Sequence, residues 1–470
     1  MKHRTWFVLW AVSVVYTLVF YNAISPIHIN GGVDSAIFES MGMAILQGKT
    51  PYIDLFDHKG ILLYYINALG IFIAPPTLGL YLLSLFSLTI TLKLWHKTAC
   101  LFTNTKSAYI PVFAGLLYLV LYEEGGNMTE DWCLPINSII LFLTARNLRE
   151  KDFVSCTQGM WAGFAAGAVL FIRANNAYLI ATCCIVSACH CLFHKRYKQF
   201  LAYSGSFLIG LGLSVSIILG FTYLLYGKEC ITGTVYGTFT FNFMYASNIG
   251  KHNGLLPLHI ALLVKIALLG VSAICLYLSR KYSNAYEKGV LIVGFVLFYL
   301  SCGKAGYQHY YISLAPLYAY VLSISYNQLH KQKILFIFIA LFPSWGLKLA
   351  LSMKNIALLI HYAENVRYIQ NIPNQELDSI WNYNTCALVK TVLQRTGHTQ
   401  CNRVFHHFQT DIDSTLKESI QESRPLWIAL IPKGEWYAAE DSTYIKEHYE
   451  MKDYAVTHYK EKILFYRRKD

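Results

Sequence analysis

Charge is what this 470-residue chain has least of: 14% of its residues are Asp, Glu, Lys or Arg, against 55% hydrophobic. With so little charge, and with apolar runs recurring along its first three quarters, the chain reads as a polytopic membrane protein. Metal motifs are missing as well. There is no HExxH and no CxxC, and most of the 12 cysteines, Cys183, Cys184 and Cys275 among them, sit inside apolar runs without ligand spacing. They read as small buried hydrophobes. No small-x-small cleavage site follows the first apolar run, Thr5 to Tyr21 behind Lys2 and Arg4, so that run reads as a retained signal anchor. Internal repeats and low-complexity tracts are absent. The net charge of +12 does not form one patch. It is spread over short loops between apolar runs, which argues for orientation in a bilayer and against a nucleic-acid partner.

A bilayer crossing takes about 20 apolar residues. After the anchor, runs near that length lie around 77 to 95, 108 to 122, 134 to 145, 157 to 172, 177 to 193, 200 to 226, 257 to 279, 289 to 302, 310 to 327 and 333 to 351, about eleven spans in all. Basic loops follow every second span: Lys93/Lys97/Lys106, Arg146/Arg149/Lys151, Lys195/Arg196/Lys198, Arg280/Lys281/Lys288 and Lys331/Lys333. With the N-terminus inside, all five are cytoplasmic. This pattern requires that Ile61 to Ala74, an apolar run closed by Pro75 and Pro76, not cross; its length suits an interfacial or re-entrant segment. The remaining polar clusters then share the outer side. The expected fold is an α-helical polytopic membrane domain over residues 1–352, with an outer loop 24–76 carrying interfacial helices. A small C-terminal α/β domain, 353–470, is expected outside, where Cys386 and Cys401 either bridge or stay as free thiols. Within it, SIWNY, RVFHHF and PLWIALI read as strands, 353–370, 386–396 and 412–422 as helices, and YAVTHYKEKILFYRR as a hairpin.

Asp34 opens an amphipathic helix, VDSAIFESMGMAILQG, closed by Gly48. At helical spacing it points with Ile37, Met41 and Ile45, away from Ser35 and Glu39. A carboxylate on an apolar face needs a partner or a task, which makes Asp34 a candidate general base; the plainer reading is a charge complementing the helix dipole. In YIDLFDHKG, Asp54 and Asp57 are three apart, and Lys59 stands at headgroup depth, able to reach a lipid phosphate or simply to snorkel. His58 carries no assignable role. Asp54 and Asp57, helped by Glu130, are a divalent-cation alternative. Glu130 and Asp131 stand at the mouth of one span and Arg173 at the outer end of another, where it either recognises phosphate or pairs with an acid. Lys304, His309 and Tyr310 lie together before a late span, among aromatics that also suit an interfacial belt.

In order and sidedness these segments resemble a known superfamily. An early outer Asp, YxDxFDHKG before an interfacial helix, TED after the third span, RxNN, and a late GxxYxHYxxxxxP (Gly303, Tyr307 spaced a little differently, His309, Tyr310, Pro316) are similar to the GT-C polytopic glycosyltransferases. The likeness is to the branch with the protein O-mannosyltransferases and aminoarabinose transferases, glycosyltransferase family 39-like. The resemblance implies a polyprenyl-phosphate-linked sugar donor and a glycan, lipid or protein acceptor on the outer face of the cytoplasmic membrane, with no cofactor. Asp34 is then the base, and basic residues hold the lipid phosphate. Two departures stand out: Asp34-Ser35 where relatives often carry Asp-Glu, and Lys59-Gly60-Ile61 where they often carry Lys-Pro-Pro or Lys-Gly-Pro. The second acid stays open among Asp54, Asp57 and Glu130. A glycan polymerase or ligase shares this pattern. A transporter or flippase would carry charges in mid-span, and the spans here are nearly free of them.

Overall fold

The computed structural model describes residues 2–26, 33–74, 77–151, 154–248, 283–302, 307–326, 371–383, 396–403, 416–430, 439–456 and 462–469, with a few isolated positions between them. Two of the eleven expected spans, 257 to 279 and 333 to 351, fall outside these residues, as do Lys304 and Cys386. The other nine are helical: α1 (Lys2–Phe20), α4 (Leu78–Ala99), α5 (Tyr109–Tyr122), α6 (Thr129–Arg146), α7 (Cys156–Arg173), α8 (Tyr178–Phe193), α9 (Tyr197–Val235), α11 (Ala285–Cys302) and α12 (Ala315–Ser325), the last entered through the 3-10 turn Gln308–Leu314. Between them lie α2 (Val33–Leu46), α3 (Ile61–Ile73) and α10 (Phe241–Asn248). Among the described residues, five helical stretches are long and apolar enough to cross a bilayer by themselves: His3–Phe20, Leu78–Ala99, Cys156–Phe193, Tyr197–Met244 and Ala285–Cys302.

The rods alternate in direction from α1 to α9, and α11 and α12 again run opposite ways, which collects the basic loops at one end of the bundle. There Lys93 lies 5.3 Å from the Trp6 ring, Arg149 donates to the Leu101 carbonyl at 3.0 Å and pairs with Glu287 at 2.8 Å, and Tyr286 meets His194 at 2.6 Å. The opposite end gathers the polar segments of α2, the 47–60 loop, the 123–128 loop, Arg173 and His309. The 13-residue α3 is about 20 Å long. It starts at the polar end and stops against the start of α4, where Gly79 N–H donates to the Ala74 carbonyl at 2.8 Å.

What packs these rods is not apolar contrast, because lipid is as apolar as leucine. α7 carries Gly159, Gly163 and Gly167 at four-residue spacing, and α9 answers with Gly210 and Ser214. A Cβ on Gly163 would lie 1.9 Å from the Phe207 carbonyl oxygen, and one on Gly210 2.0 Å from that of Met160. The two backbones therefore touch. Ser214 and Thr222 of α9 are buried toward the bundle, while Leu208, Leu213 and Leu224 face outward, the arrangement a hydrocarbon solvent selects. Helix α2 departs from expectation: Ser35, Ile37, Glu39, Ser40 and Met41 are all buried, so protein surrounds it and it presents no polar face to water. Gly48 closes it in the left-handed region, φ 79°, as the sequence predicts.

The C-terminal sheet has the order β1-β2-β4-β3, from β1 (Ile380–Tyr383), β2 (Trp427–Leu430), β3 (Tyr449–Val456) and β4 (Lys462–Arg468), flanked by α13 (Leu416–Ser423) and α14 (Ala439–His448). β1 and β2 pair in parallel, and the other neighbours are antiparallel. Alternate residues face opposite sides: Ile380, Ala429, Ile463 and Phe465 join one apolar cluster, and Trp381, Ile428, Leu430 and Tyr466 the other. The SIWNY, PLWIALI and hairpin segments are strands as expected. Of RVFHHF only Arg403 is among the described residues, and helix α14 was not foreseen.

Substituting Gly163→Leu is expected to force α7 from α9 and lower stability by about 1–3 kcal/mol, read as a reduced thermal midpoint in detergent. An unchanged midpoint would mean that the backbone contact does not hold the pair.

Candidate active site

The site begins with a loop that only its own residues can make. Gly125, Gly126 and Asn127 are successively left-handed, φ 105°, 83° and 61°, which glycine allows freely and asparagine tolerates. Glu123 Oε1 accepts the amides of Glu124 and Gly126 at 3.1 and 2.8 Å. The buried Asn127 then ties three elements together: its Nδ2 donates to Ser35 Oγ at 3.1 Å and Asn67 Oδ1 at 2.9 Å, and its Oδ1 accepts Trp132 Nε1 at 2.9 Å. Ser35 in turn donates to Glu39 at 2.8 Å. A connected buried network of this kind is rigid, and it fixes the first turn of α2, which bears Asp34.

Arg173, the last residue of α7, donates to Glu130 Oε1 at 2.9 Å and to Thr129 Oγ1 at 3.3 Å. Its guanidinium lies 4.1 Å from the Tyr310 ring centroid, and Glu130 Oε2 accepts from Thr129. Both partners are largely buried, side-chain exposure being 14% and 1%, so each would be costly to keep charged without the other. His309 Nδ1 meets Glu124 Oε2 at 2.9 Å. Burial alone would lower the His309 pKa, but the Glu124 hydrogen bond and the charges of Glu130, Glu124 and Asp34 raise it above the usual histidine value. Asp34 acts electrostatically on Arg173, His309 and Tyr310 alike, so the four share one site.

The 52–60 loop closes the other side. Gly60 N–H donates to the Ile172 carbonyl at 3.1 Å, and a Cβ there would lie 2.0 Å from the Phe171 carbonyl oxygen. Glycine at this position lets the loop back onto the end of α7, next to Arg173. His58 stands between its neighbours, with Nδ1 3.3 Å from Asp57 Oδ1 and Nε2 2.9 Å from Lys59 Nζ. Burial, Lys59 and Arg173 lower the His58 pKa against the pull of Asp57. A neutral ring fits this position: Nδ1–H donates to the carboxylate and Nε2 accepts from the ammonium. Burial would raise the Asp57 pKa; Lys59, His58 and the Tyr64 hydroxyl, 2.8 Å away, outweigh it and hold the carboxyl well below the usual range. Lys59 is buried, with the Phe38 ring 5.9 Å from its nitrogen.

The structure therefore brings together Asp34, Asp57, Lys59, Glu130, Arg173, His309 and Tyr310. Asp54 does not join them. It is exposed, and its carboxylate caps the Thr50 amide at 2.6 Å. Asp54, Asp57 and Glu130 thus each serve a different partner, and among the described residues no group of three or more His, Cys, Asp or Glu is placed to hold a metal ion. Of the two readings of Arg173, the structure shows the pairing with an acid, Glu130. Sequence reasoning missed His58 and Glu124. An unbroken Asp-His-Lys run was the available signal for the first, and nothing local marked the second.

The fold can be compared with solved structures. ArnT from Cupriavidus metallidurans bound to undecaprenyl phosphate superposes with a TM-score of 0.62 at 9% identity, over 98% of each chain. Its apo state gives 0.60 at 11%, over 99% of this chain and 98% of that one. The chain has the GT-C fold. The Archaeoglobus fulgidus oligosaccharyltransferase in the apo form matches more loosely, with a TM-score of 0.52 at 12% identity over 99% of this chain and 74% of that one. No protein-family model matches the sequence, and no curated protein is similar to it in sequence. At these identities the likeness concerns the GT-C architecture; the chemistry must be argued from the residues.

The raised His309 pKa gives a signed expectation. The stability that the His309 and Glu124 pair contributes is full below about pH 6.5 and is lost as pH rises through the higher folded-state value. The thermal midpoint of the wild type should exceed that of His309→Gln at about pH 6, with the gap closing by about pH 9. A gap independent of pH would show that the pair is not ionic.

Proposed function

We propose that this protein is a membrane glycosyltransferase that moves a sugar from a polyprenyl monophosphate carrier to an acceptor hydroxyl on a glycan, lipid or protein. Transfer takes place on the outer face of the cytoplasmic membrane, the side that also carries the C-terminal domain. One observation carries the reading: a carboxylate at a helix start, Asp34, and three cations, Lys59, Arg173 and His309, converge at one end of a GT-C bundle. Undecaprenyl phosphate in the similar ArnT structure supports a lipid phosphate as the group those cations hold, and the positive-inside pattern supports the sidedness.

In this mechanism the acceptor oxygen attacks the anomeric carbon while Asp34 takes its proton. The bond between that carbon and the phosphate oxygen breaks, and the charge on the leaving phosphate develops against Lys59, Arg173 and His309. Glu130 and Tyr310 hold the guanidinium in place, and Asp57, through His58, does the same for the ammonium.

Asp34→Asn should lower transfer in proteoliposomes supplied with polyprenyl phosphate sugar by about 10²–10⁴-fold while leaving the thermal midpoint in place. Lys59→Ala should raise the apparent KM for the donor about tenfold or more. Undiminished transfer by Asp34→Asn would reject the base, and an unaltered donor KM in Lys59→Ala would reject the phosphate role.

A further inference from the structure

The segment 396–403 of the C-terminal domain is anchored at both faces. On its own domain, Thr399 N–H and His398 bond to Asp378 at 3.1 and 2.9 Å, Cys401 N–H donates to the Ile380 carbonyl of β1 at 2.9 Å, and Asn402 exchanges two hydrogen bonds with the Asn382 backbone. Toward the membrane body, Gln47 donates to the Gly397 carbonyl at 2.8 Å, Thr399 Oγ1 donates to Gln47 Oε1 at 2.8 Å, and Lys49 donates to Thr399. The innermost contacts belong to Arg403. Its carbonyl accepts the Phe56 amide at 2.8 Å, and its Nη2 donates to the Tyr52 carbonyl at 3.1 Å.

Tyr52 is the residue this grip acts on. It is fully buried and left-handed, φ 65°, a conformation that a tyrosine keeps only where its surroundings impose it. Its amide donates to the Leu55 carbonyl at 2.8 Å, and its ring lies against Gly233 and Gly237. Its hydroxyl donates to the carbonyl of Lys59 at 2.7 Å. A single side chain thus connects Arg403 to the backbone of the lysine whose ammonium sits on His58.

We propose that Arg403 is a positioning residue for Lys59, acting through Tyr52, so that the C-terminal domain sets the phosphate grip of the membrane body. The inference rests on the reading of Lys59 as a phosphate holder. Its physical basis is that an ammonium on a flexible four-carbon stem is only as well placed as its backbone, and this stretch of backbone is held from outside the membrane domain.

The test uses the full chain in nanodiscs and three readouts. Amide hydrogen exchange over 52–60 should rise about tenfold or more in Arg403→Ala, with residues 35–46 unchanged. The dissociation constant for undecaprenyl phosphate should rise about tenfold, kcat with a lipid-linked sugar should change little, and Arg403→Lys should recover part of the affinity. Tyr52→Phe, which removes only the hydroxyl, should reproduce the affinity loss if Arg403→Ala folds poorly. In a Lys59→Ala background neither substitution should weaken binding further. Losses that multiply with Lys59→Ala, or unchanged exchange over 52–60, would overturn the proposal. A wild type that binds no undecaprenyl phosphate would instead refute the donor reading, and the exchange measurement would still decide whether Arg403 holds the loop.

Discussion

Two cations, Lys59 and Arg173, lie at the same end of a low-dielectric bundle, on a loop and a helix end joined by the Gly60 to Ile172 hydrogen bond, and the rest of the site follows from the cost of keeping them charged there. Gly60 makes the approach possible, since any side chain at that position would strike the Phe171 carbonyl. Once the loop rests on the end of α7, each ammonium or guanidinium needs an anion nearby. Glu130 supplies one directly. For Lys59 the anion is one residue removed, and His58 transmits it by donating to Asp57 and accepting from the lysine. The neutrality of that imidazole follows from the same constraint: a third positive charge there would be opposed by both Lys59 and Arg173.

Much of this was legible in the sequence because the relevant signals are one-dimensional. Span lengths and the basic loops between spans anticipated which ends of the nine described rods lie together, and the Pro75-Pro76 stop marked where α3 ends. Asp34, Lys59, Arg173 and His309 were legible as charges at apolar boundaries, where a charge is costly unless it has work to do. Asp54 looked equivalent to Asp57 at three-residue spacing, yet one caps a turn in water and the other is buried against Tyr64. Spacing says which residues are neighbours and nothing about which way the loop folds.

Other features needed the third dimension or a different rule. Helix α2 scans as amphipathic because its serines and Glu39 are polar, but Asn127 reaches over from a left-handed loop and converts that polar face into an interior network. Gly159, Gly163 and Gly167 were on view as a four-residue repeat of small residues; an apolar-periodicity reading passes over it, because in lipid close backbone contact replaces hydrophobic contrast as the basis of helix pairing. The tie between Arg403 and Tyr52 joins positions 351 residues apart, and no local pattern announces it.

Counting charges around the site gives the proposed chemistry a further physical basis. Lys59, Arg173 and His309 are each matched to one acid, Asp57 through His58, Glu130 and Glu124 respectively, and Asp34 adds a fourth carboxylate. In the proposed transfer, the acceptor proton moves to Asp34 as the phosphate gains a negative charge on leaving the sugar. One negative charge disappears at the start of α2 and another appears before the three cations, so the total at that end of the bundle stays constant through the step. A site held in place by ion pairs and a buried asparagine network can accommodate such a shift of charge with little rearrangement, which is the condition under which fixed dipoles and charges lower a barrier most effectively.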